Sequence, residues 1–370
     1  MDAIEITKAL IQIAKPSDKI EWDLPWLEEL FLKCWFEIKK IYTLDPQRQV
    51  EIPHYLLTLW NWEKHIWFVA HYDVVSYWEW WHNPANEAII KDWKLFWRWV
   101  TDMLSWLAVA LYTFPEFKED YRFSLFVTWN EETENPFPHE LFNLLDSKLD
   151  YVIWGEPTSE KTSWDIIKIW RRWRASWIIK IYWDAMHAAY VDIRWWDNLT
   201  RILLKWELNS LQTKYDDWEG IMPPTSFAIN EIRSEYIGTN TIPWEIEIWF
   251  DARISSVWTP ETFEQELHKR LKDIWLRYDL KINSTFEPYL TNDKKYIESI
   301  EKSITKATWK SPKINCEWGT SDCRFFWKIW IPTVEIWVEN STMHKPNESQ
   351  DLSNIEILCD IYRQILKDLR

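Results

Sequence analysis

Stretches with helical spacing alternate with short continuous apolar runs along the first part of the chain. Apolar residues recur every three or four positions at 4–13 and 24–38, and residues 103–114 are apolar over a helical length. Three short apolar runs predict buried strands, at 65–70, 123–128 and 151–154. Alternating strands and helices are typical of an α/β sheet, in which ligands bind at the carboxyl ends of the strands.

A different pattern, with alternating apolar and polar residues, begins near residue 171. The later predicted elements are strands at 178–182, 245–248 and 333–336, and helices at 198–210, 260–276 and 293–308. We therefore predict an α/β catalytic domain made of residues 1–170 and 289–370, with a mixed sheet flanked by helices. Residues 171–288 are predicted to form an inserted α+β domain.

Composition narrows the class of protein. The chain has 370 residues, of which 47% are hydrophobic, and no uninterrupted apolar run is long enough to span a bilayer. A formal net charge of -15 disfavours nucleic acid and anionic membranes as partners, although the basic patch at 171–174 could bind a small anion. The first residues lack a secretory signal and the four cysteines are widely spaced, so we expect a cytoplasmic protein with reduced thiols.

The tryptophan and glycine contents are abnormal. The chain holds 33 Trp and 4 Gly, whereas about 26 Gly are expected at roughly 7% usage. Several Trp stand where turns need glycine, as in Asp92-Trp93 and Pro243-Trp244. We hypothesise that most of these Trp are glycine in the natural protein, with one codon read differently in the source, and that Trp81 is a true tryptophan. A protein that is naturally rich in tryptophan is the alternative.

Histidines and acids follow the predicted strands. His71 and Asp73 end the first run, Glu131 and Glu132 follow the second, and Glu156 follows the third. Together with Asp102 and His344, which lie in other segments, they form an inventory without thiolates that suits a pair of divalent ions such as zinc. Residues two apart in a strand share a face, so Asp73 is predicted to orient the imidazole of His71.

A resemblance to a known family adds roles to these residues. With Trp read as Gly, residues 71–107 contain H-Y-D-V-V and G-R-G-V-T-D-M, and T-G-N-E-E, G-E-P-T and M-H-K-P-N-E follow at 128–132, 155–158 and 343–348. These motifs resemble the di-zinc aminoacylase and carboxypeptidase family, whose catalytic domain has a phosphorylase/hydrolase-like fold. The resemblance implies two Zn²⁺, with Co²⁺ or Mn²⁺ as substitutes, and a cis peptide after Asp102. It assigns the following roles: Asp102 bridges the ions, His71 and Glu156 complete one site, Glu132 and His344 complete the other, and Glu131 is the general base.

The middle segment resembles the family's lid and dimerisation domain. His187 matches a histidine that reaches across a homodimer to the tetrahedral intermediate, although the residue pattern alone favours an ordinary surface or core histidine. Asn240 and Arg253 match residues that hold the carboxylate end of the substrate, and an arginine fork suits that role.

The loop motifs resemble the desuccinylases of the family more than its acetylornithine deacetylases or carboxypeptidases. The implied substrate contacts are Gly319, Thr320, Arg324 and Asn340, while Cys323 departs from the small residue usual there. The resemblance implies hydrolysis of a small N-acyl amino acid, with N-succinyl-diaminopimelate first. Alternatives are a dipeptidase, a carboxypeptidase or an acetylornithine deacetylase of the same family, and an inactive binding protein on the same fold.

Overall fold

The computed structural model separates into two compact units. The larger unit comprises Met1–Ile169, Leu290–Asn315 and Ser321–Arg370, and the smaller comprises Trp170–Tyr289 and Cys316–Thr320. The structure describes residues 1–16, 24–45, 49–59, 64–74, 87–96, 100–129, 142, 150–182, 186–187, 189, 209–217, 222–235, 238–272, 277–316, 323–336, 338–339, 341–343, 345 and 347–370.

Helices flank the sheet of the larger unit. In chain order, the α-helices of the described residues are α1 (Ala3–Ile13), α2 (Pro25–Lys33), α3 (Ser105–Thr113), α4 (Pro260–Leu271), α5 (Lys294–Thr308), α6 (Cys323–Lys328) and α7 (Leu352–Asp368). Asp2 begins α1 with a capping box to Glu5, which satisfies two of the free amide groups at the helix start. Only α4 belongs to the smaller unit.

The strands follow the predicted alternation and add several that the pattern did not predict. They are β1 (Lys15–Pro16), β2 (Glu37–Asp45), β3 (Val50–Leu59), β4 (His65–His71), β5 (Asp73–Val74), β6 (Ile89–Lys91), β7 (Lys94–Phe96), β8 (Arg122–Thr128), β9 (Tyr151–Trp154), β10 (Ile166–Lys168), β11 (Trp170–Arg171), β12 (Trp173–Tyr182), β13 (Met186–His187), β14 (Ser226–Arg233), β15 (Thr241–Ile242), β16 (Glu245–Ile254), β17 (Arg277–Phe286), β18 (Tyr289–Leu290), β19 (Lys313–Asn315), β20 (Thr333–Ile336) and β21 (Ser349–Asp351).

The main sheet has eight strands in the order β19-β10-β20-β9-β4-β8-β3-β2. Its central strands β20, β9, β4 and β8 are parallel, while β3 and β2 continue it in antiparallel fashion. Because β9, β4 and β8 run parallel, the residues that follow them emerge at one edge. This mixed α/β sheet confirms the predicted fold class.

Strand β4 lies at the centre of the core. Successive side chains of a strand point to opposite faces. Trp67 contacts Phe326 of α6. Phe68 contacts Phe114, which follows α3, and Tyr362, which lies in α7. Both faces of the sheet are therefore covered, which explains why β4 reads as one continuous apolar run.

The smaller unit contains a four-stranded antiparallel sheet in the order β14-β16-β12-β17. Strand β16 alternates between buried and half-buried residues, the pattern of a sheet with one covered face. Its inner residues Ile248 and Phe250 pack with Phe263 and Leu267 of α4. The predicted helix at 198–210 lies outside the described residues except for its last two positions. These two positions belong to a short 3₁₀ turn, Asn209–Gln212.

The predicted helix at 24–38 ends early, at Lys33. Trp35 has a φ of 72°, and the amide of Phe36 donates to the carbonyl of Phe31 while that of Trp35 donates to Leu32. These bonds form a Schellman motif, in which the left-handed position is normally glycine. The chain then turns into β2, so the prediction was wrong for the last third of this segment.

Trp occupies five of the eight non-glycine positions with positive φ among the described residues. Asp92 and Trp93, with φ of 50° and 63°, form the turn between β6 and β7, whose paired positive angles are typical of Asp-Gly in a type I′ turn. The indole nitrogen of Trp129 is buried without a hydrogen-bond partner in the described part of the chain. A positive φ and a buried indole N–H without a partner both cost free energy for tryptophan. Glycine adopts a positive φ without steric cost and has no side-chain donor to bury.

No described helix is long and apolar enough to cross a membrane. The four cysteines are buried.

Candidate metal centre and anion-binding strands

His71 ends β4 and is fully buried. Its Nδ1 lies 3.0 Å from the main-chain carbonyl oxygen of Asp73 and 3.7 Å from the Asp73 carboxylate. The nearer acceptor is therefore the carbonyl rather than the predicted carboxylate. A proton on Nδ1 that donates to this carbonyl leaves Nε2 with its lone pair free for another ligand.

Asp102 lies in the turn that precedes α3. Residues Val100–Leu104 form a π-type turn in which Asp102 and Met103 leave the helical conformation, and the peptide between them is cis, as the resemblance implied. This turn places Asp102 Oδ1 3.2 Å from Nε2 of His71.

Glu156 follows the end of β9, and its Oε1 accepts a hydrogen bond from the indole of Trp154 at 2.9 Å. The pKa of Glu156 is raised to about 8, chiefly by burial and also by the charges of Asp102 and Glu335, while His71 and the hydrogen bond from Trp154 act in the opposite direction. The charges of Asp102 and His71 therefore both act on the carboxyl group of Glu156. The carboxylates at this edge repel one another, which a bound cation would relieve.

The donor set fits a divalent cation. Nδ1 of His71 faces a carbonyl oxygen and Nε2 faces a carboxylate oxygen. A neutral imidazole has one proton, so only one of these nitrogens can donate, and the lone pair of the other points at an acceptor oxygen. A cation bound by both Nε2 and the Asp102 carboxylate would remove this repulsion. Two ligands of one tetrahedral zinc, bound at about 2.0–2.1 Å, lie about 3.3 Å apart, close to the observed 3.2 Å.

The described residues do not complete this centre by themselves. Within them, no group of three His, Cys, Asp or Glu converges tightly enough to hold a metal. Glu131, Glu132 and His344, the other predicted members, lie outside the described residues.

Glu348, which no sequence pattern marked as functional, contacts the residue before Asp102. It is fully buried, and its Oε1 accepts from the amide of Thr101 at 2.8 Å and from the Thr101 hydroxyl. The contact fixes the residue before Asp102 to the segment that follows His344. Its position at the end of M-H-K-P-N-E was the only signal in the sequence, and the contact itself depends on tertiary structure.

The smaller unit brings His187 and Asn240 together. Strand β13 pairs with β15 so that His187 lies opposite Thr241, and Nδ2 of Asn240, which can only donate, lies 3.0 Å from Nε2 of His187. Nδ1 of His187 accepts from the amide of Ala189 at 3.1 Å. Both ring nitrogens of His187 therefore face N–H donors, and the side-chain amide of Asn240 can donate to another acceptor through its second N–H.

Arg253 stands on β16 in a group of arginines. It lies directly opposite Arg174 of β12, and both guanidinium groups contact Asp251, at 3.2 and 2.7 Å. Burial lowers the pKa of Arg253, the charges of Arg174, Arg172 and Arg171 lower it further, and Asp251 raises it. Nη1 of Arg253 is buried and has no hydrogen-bond partner in the described residues. One carboxylate thus faces several arginines, an arrangement that suits a bound anion.

The remaining predicted substrate contacts are only partly described. Arg324, in the first turn of α6, is largely buried with its guanidinium over the ring of Phe325. Gly319, Thr320 and Asn340 lie outside the described residues.

Comparison with known sequences places the chain among hydrolases. Residues 67–368 match the model of peptidase family M20/M25/M40. A succinyl-diaminopimelate desuccinylase of Nautilia profundicola is 30% identical over 312 residues, which cover 82% of this chain and 84% of the relative. A second, from Nitratiruptor sp., is 26% identical over 378 residues, covering 99% of this chain and 100% of the relative.

Solved structures share the fold at low sequence identity. An M20 family metallo-carboxypeptidase from Sulfolobus solfataricus superposes with a TM-score of 0.75 at 14% identity and covers 99% of both chains. A dinuclear metal binding peptidase from Bacillus subtilis gives a TM-score of 0.68 at 11% identity, covering 99% of this chain and 97% of that one.

Proposed function

This chain belongs to peptidase family M20/M25/M40 and is a metal-dependent hydrolase, and we propose that it hydrolyses N-succinyl-diaminopimelate to succinate and diaminopimelate. The observation that carries the proposal is the contact of His71 with Asp102, beside Glu156, at the edge where the parallel strands end. The relatives that share most of the chain's length are named for this substrate.

We assign two metal sites to this edge. His71 and Glu156 would hold one ion, Glu132 and His344 the other, and Asp102 both. Bound divalent ions would supply the positive charge that polarises the amide carbonyl and acidifies a water molecule. The carbonyl of Asp73 keeps the His71 proton on Nδ1, so that Nε2 faces the site.

Glu131 is assigned the proton transfers. It would accept a proton as the oxygen of water attacks the amide carbon, and deliver it to the nitrogen as the carbon–nitrogen bond breaks. The products are a carboxylate and a free amine. A carboxylate is suited to both steps because it is a base before the attack and an acid after it.

The smaller unit would recognise the substrate. Nη1 of Arg253 is buried and has no hydrogen-bond partner within the part of the chain that the structure describes, so a substrate carboxylate can accept from it. His187 and Asn240 lie within hydrogen-bond distance of each other, and the second N–H of the Asn240 amide can donate to the carbonyl oxygen as negative charge develops there. We further propose that the chain acts as a homodimer in which His187 serves the partner's site.

A substrate panel tests the proposal. The zinc-loaded protein is assayed with N-succinyl-diaminopimelate, N-acetylornithine and simple dipeptides, beside Glu131→Gln and the exposed control Glu119→Gln. The proposal requires the highest kcat/KM on the succinyl substrate and its loss in Glu131→Gln alone. Preference for dipeptides would assign the chain to the peptidases of the family, and a protein inactive on all three would be a binding protein.

A further inference from the structure

A buried histidine on β3 contacts the segment that carries the assigned base. His54 is 2% exposed, and its Nδ1 accepts a hydrogen bond from the main-chain amide of Trp129 at 3.3 Å. Nε2 lies 2.7 Å from the hydroxyl of Thr43 on β2. The contact at position 129 uses only the backbone, so it is the same whether that residue is tryptophan or glycine.

These two contacts define the state of the ring. An amide N–H can only donate, so Nδ1 must be unprotonated, and the proton of a neutral ring then lies on Nε2 and donates to Thr43. Burial lowers the pKa of His54 to about 3, which keeps the ring neutral over the range in which an enzyme is assayed. His54 is therefore a fixed acceptor.

The position of this acceptor is informative. The backbone ladder between β3 and β8 ends at the pair of Tyr55 and Val127. On the β4 side, the carbonyl of Thr128 accepts from the amide of Tyr72 at 3.0 Å. On the β3 side, beyond the last backbone pair, the amide of Trp129 donates to the side chain of His54 instead of to a backbone carbonyl of β3. Trp129 directly precedes Asn130, Glu131 and Glu132.

We propose that His54 is a positioning residue for hydrolysis, and that it holds the end of β8 so that Glu131 and Glu132 leave the strand in their working geometry. The inference rests on the proposed function, because it takes the roles of these two acids from there. Residues that orient a metal ligand or base typically change activity or metal affinity by about 10- to 100-fold when removed.

The chain offers a matched control. His65 is also buried, at 1% exposure, and its Nε2 lies 2.7 Å from the hydroxyl of Ser124. It begins β4, whereas His71 ends it, so the two lie about 20 Å apart at 3.3 Å per residue. Replacing His65 damages the same core without touching the catalytic edge.

The kinetic test compares His54→Leu, His54→Asn and His65→Leu in the zinc-loaded full chain, with rates normalised to folded protein. Asn keeps an acceptor near the place of Nδ1, whereas Leu removes it. We expect His54→Leu to lower kcat by about 10- to 100-fold with little change in KM. His54→Asn is expected to recover most of this loss, and His65→Leu to keep the wild-type kcat.

A second readout does not depend on activity. Hydrogen exchange of the backbone amide of residue 129 is measured by mass spectrometry in the same variants. We expect faster exchange in His54→Leu only, with His54→Asn near wild type. Equal kcat losses in His54→Leu and His65→Leu, or a folded His54→Asn without recovery of kcat, would overturn the proposal.

Failure of the proposed function gives a different result. A wild-type protein without metal-dependent hydrolysis removes the assigned roles of Glu131 and Glu132, and the positioning role falls with them even if exchange at residue 129 behaves as expected. If the wild-type protein is active and exchange at residue 129 is unchanged in His54→Leu, the proposed function stands and the role of His54 alone is rejected.

Discussion

The two units concentrate charge of opposite sign, each by a different device. The larger unit gathers Asp102 and Glu156 around His71 where parallel strands end. The smaller unit places Arg174 and Arg253 opposite each other on antiparallel strands, with Asp251 between them. Like charges near one another are unfavourable without a ligand, so the first unit is suited to cations and the second to an anion. The proposed binding of metal by the larger unit and of an acidic substrate by the smaller unit would account for both clusters.

Loss of the acidic centre should have the largest effect. Asp102→Asn removes the carboxylate that contacts His71, and the loss of several kcal/mol of metal-based stabilisation predicts about a 1,000-fold or greater fall in kcat. Metal content is measured by mass spectrometry beside the rates. The control Asp92→Asn, in the turn between β6 and β7, should behave as wild type. A fully active, zinc-loaded Asp102→Asn protein would remove the cation side of the comparison.

Loss of the basic group should weaken substrate binding. Arg253→Met is expected to raise KM by about 10- to 100-fold, the equivalent of one charge-assisted hydrogen bond, while Arg253→Lys recovers part of it without the fork geometry. Steady-state kinetics with the acidic substrate measures both. Arg233, exposed and paired with Glu231, supplies the control Arg233→Met. Similar KM values for the Arg253 and Arg233 variants would contradict an anion site on β16.

Ligand-induced stabilisation should separate the units. Zinc at 100 times its Kd is expected to add about 2.7 kcal/mol to the unfolding free energy, and succinate at ten times its Kd about 1.4 kcal/mol. Thermal unfolding of the metal-free protein measures each shift in Tm. Asp102→Asn should abolish the zinc shift alone, and Arg253→Met the succinate shift alone. One variant that removed both shifts would show that the two clusters are not independent.

The units also differ in their backbones, and this contrast predicts the smallest effect. All eight described non-glycine residues with positive φ lie in the larger unit. Trp309 ends α5 in the left-handed conformation and is 91% exposed, so Trp309→Gly should stabilise the protein by about 1 kcal/mol. Trp26, 71% exposed in the first turn of α2, should lose about 0.5–1 kcal/mol as Trp26→Gly. Urea unfolding measures both, and changes of the same sign would contradict the argument.

The periodic pattern predicted the centre of the fold well. Strands β4, β8 and β9 and helices α1 and α5 lie where the sequence placed them, because their apolar residues are buried by neighbours that any α/β sheet supplies. It did not predict β2 and β3, and extended α2 into β2. The helix ends at Lys33, and residue 35 is in the left-handed conformation. A glycine at this position would have predicted the end of the helix, whereas tryptophan does not.

The site was predictable as a list of residue types and less so as a set of contacts. His71, Asp102 and Glu156 follow from strand ends and motifs, and His187 and Asn240 from the family resemblance. The orientation of His71 by a carbonyl, the pairing of Thr101 with Glu348 and the acceptor role of His54 all join residues from different strands or loops. No local pattern encodes such contacts, since they arise only after the sheet has formed.

The glycine hypothesis is testable directly. Intact-mass and peptide sequencing of the protein from its natural source should find glycine at positions 35, 93, 129, 164, 309 and 330, where the backbone angle or a buried indole disfavours tryptophan. Tryptophan at these positions would reject it. The contacts of His71 with Asp73 and Asp102, and that of Arg253 with Asp251, are made without any of these side chains.

The chain leaves the larger unit at Ile169 and returns at Leu290, and the amide of Thr291 donates to the carbonyl of Ile169 at 2.8 Å. The two ends of the inserted segment of some 120 residues are therefore held next to each other within the larger unit. Loop-closure entropy grows slowly with length, so we expect the inserted segment to tolerate changes in length at little cost to the sheet that carries the proposed metal ligands. If the two units have the proposed roles, such an architecture would let substrate recognition change while the hydrolytic chemistry stays fixed.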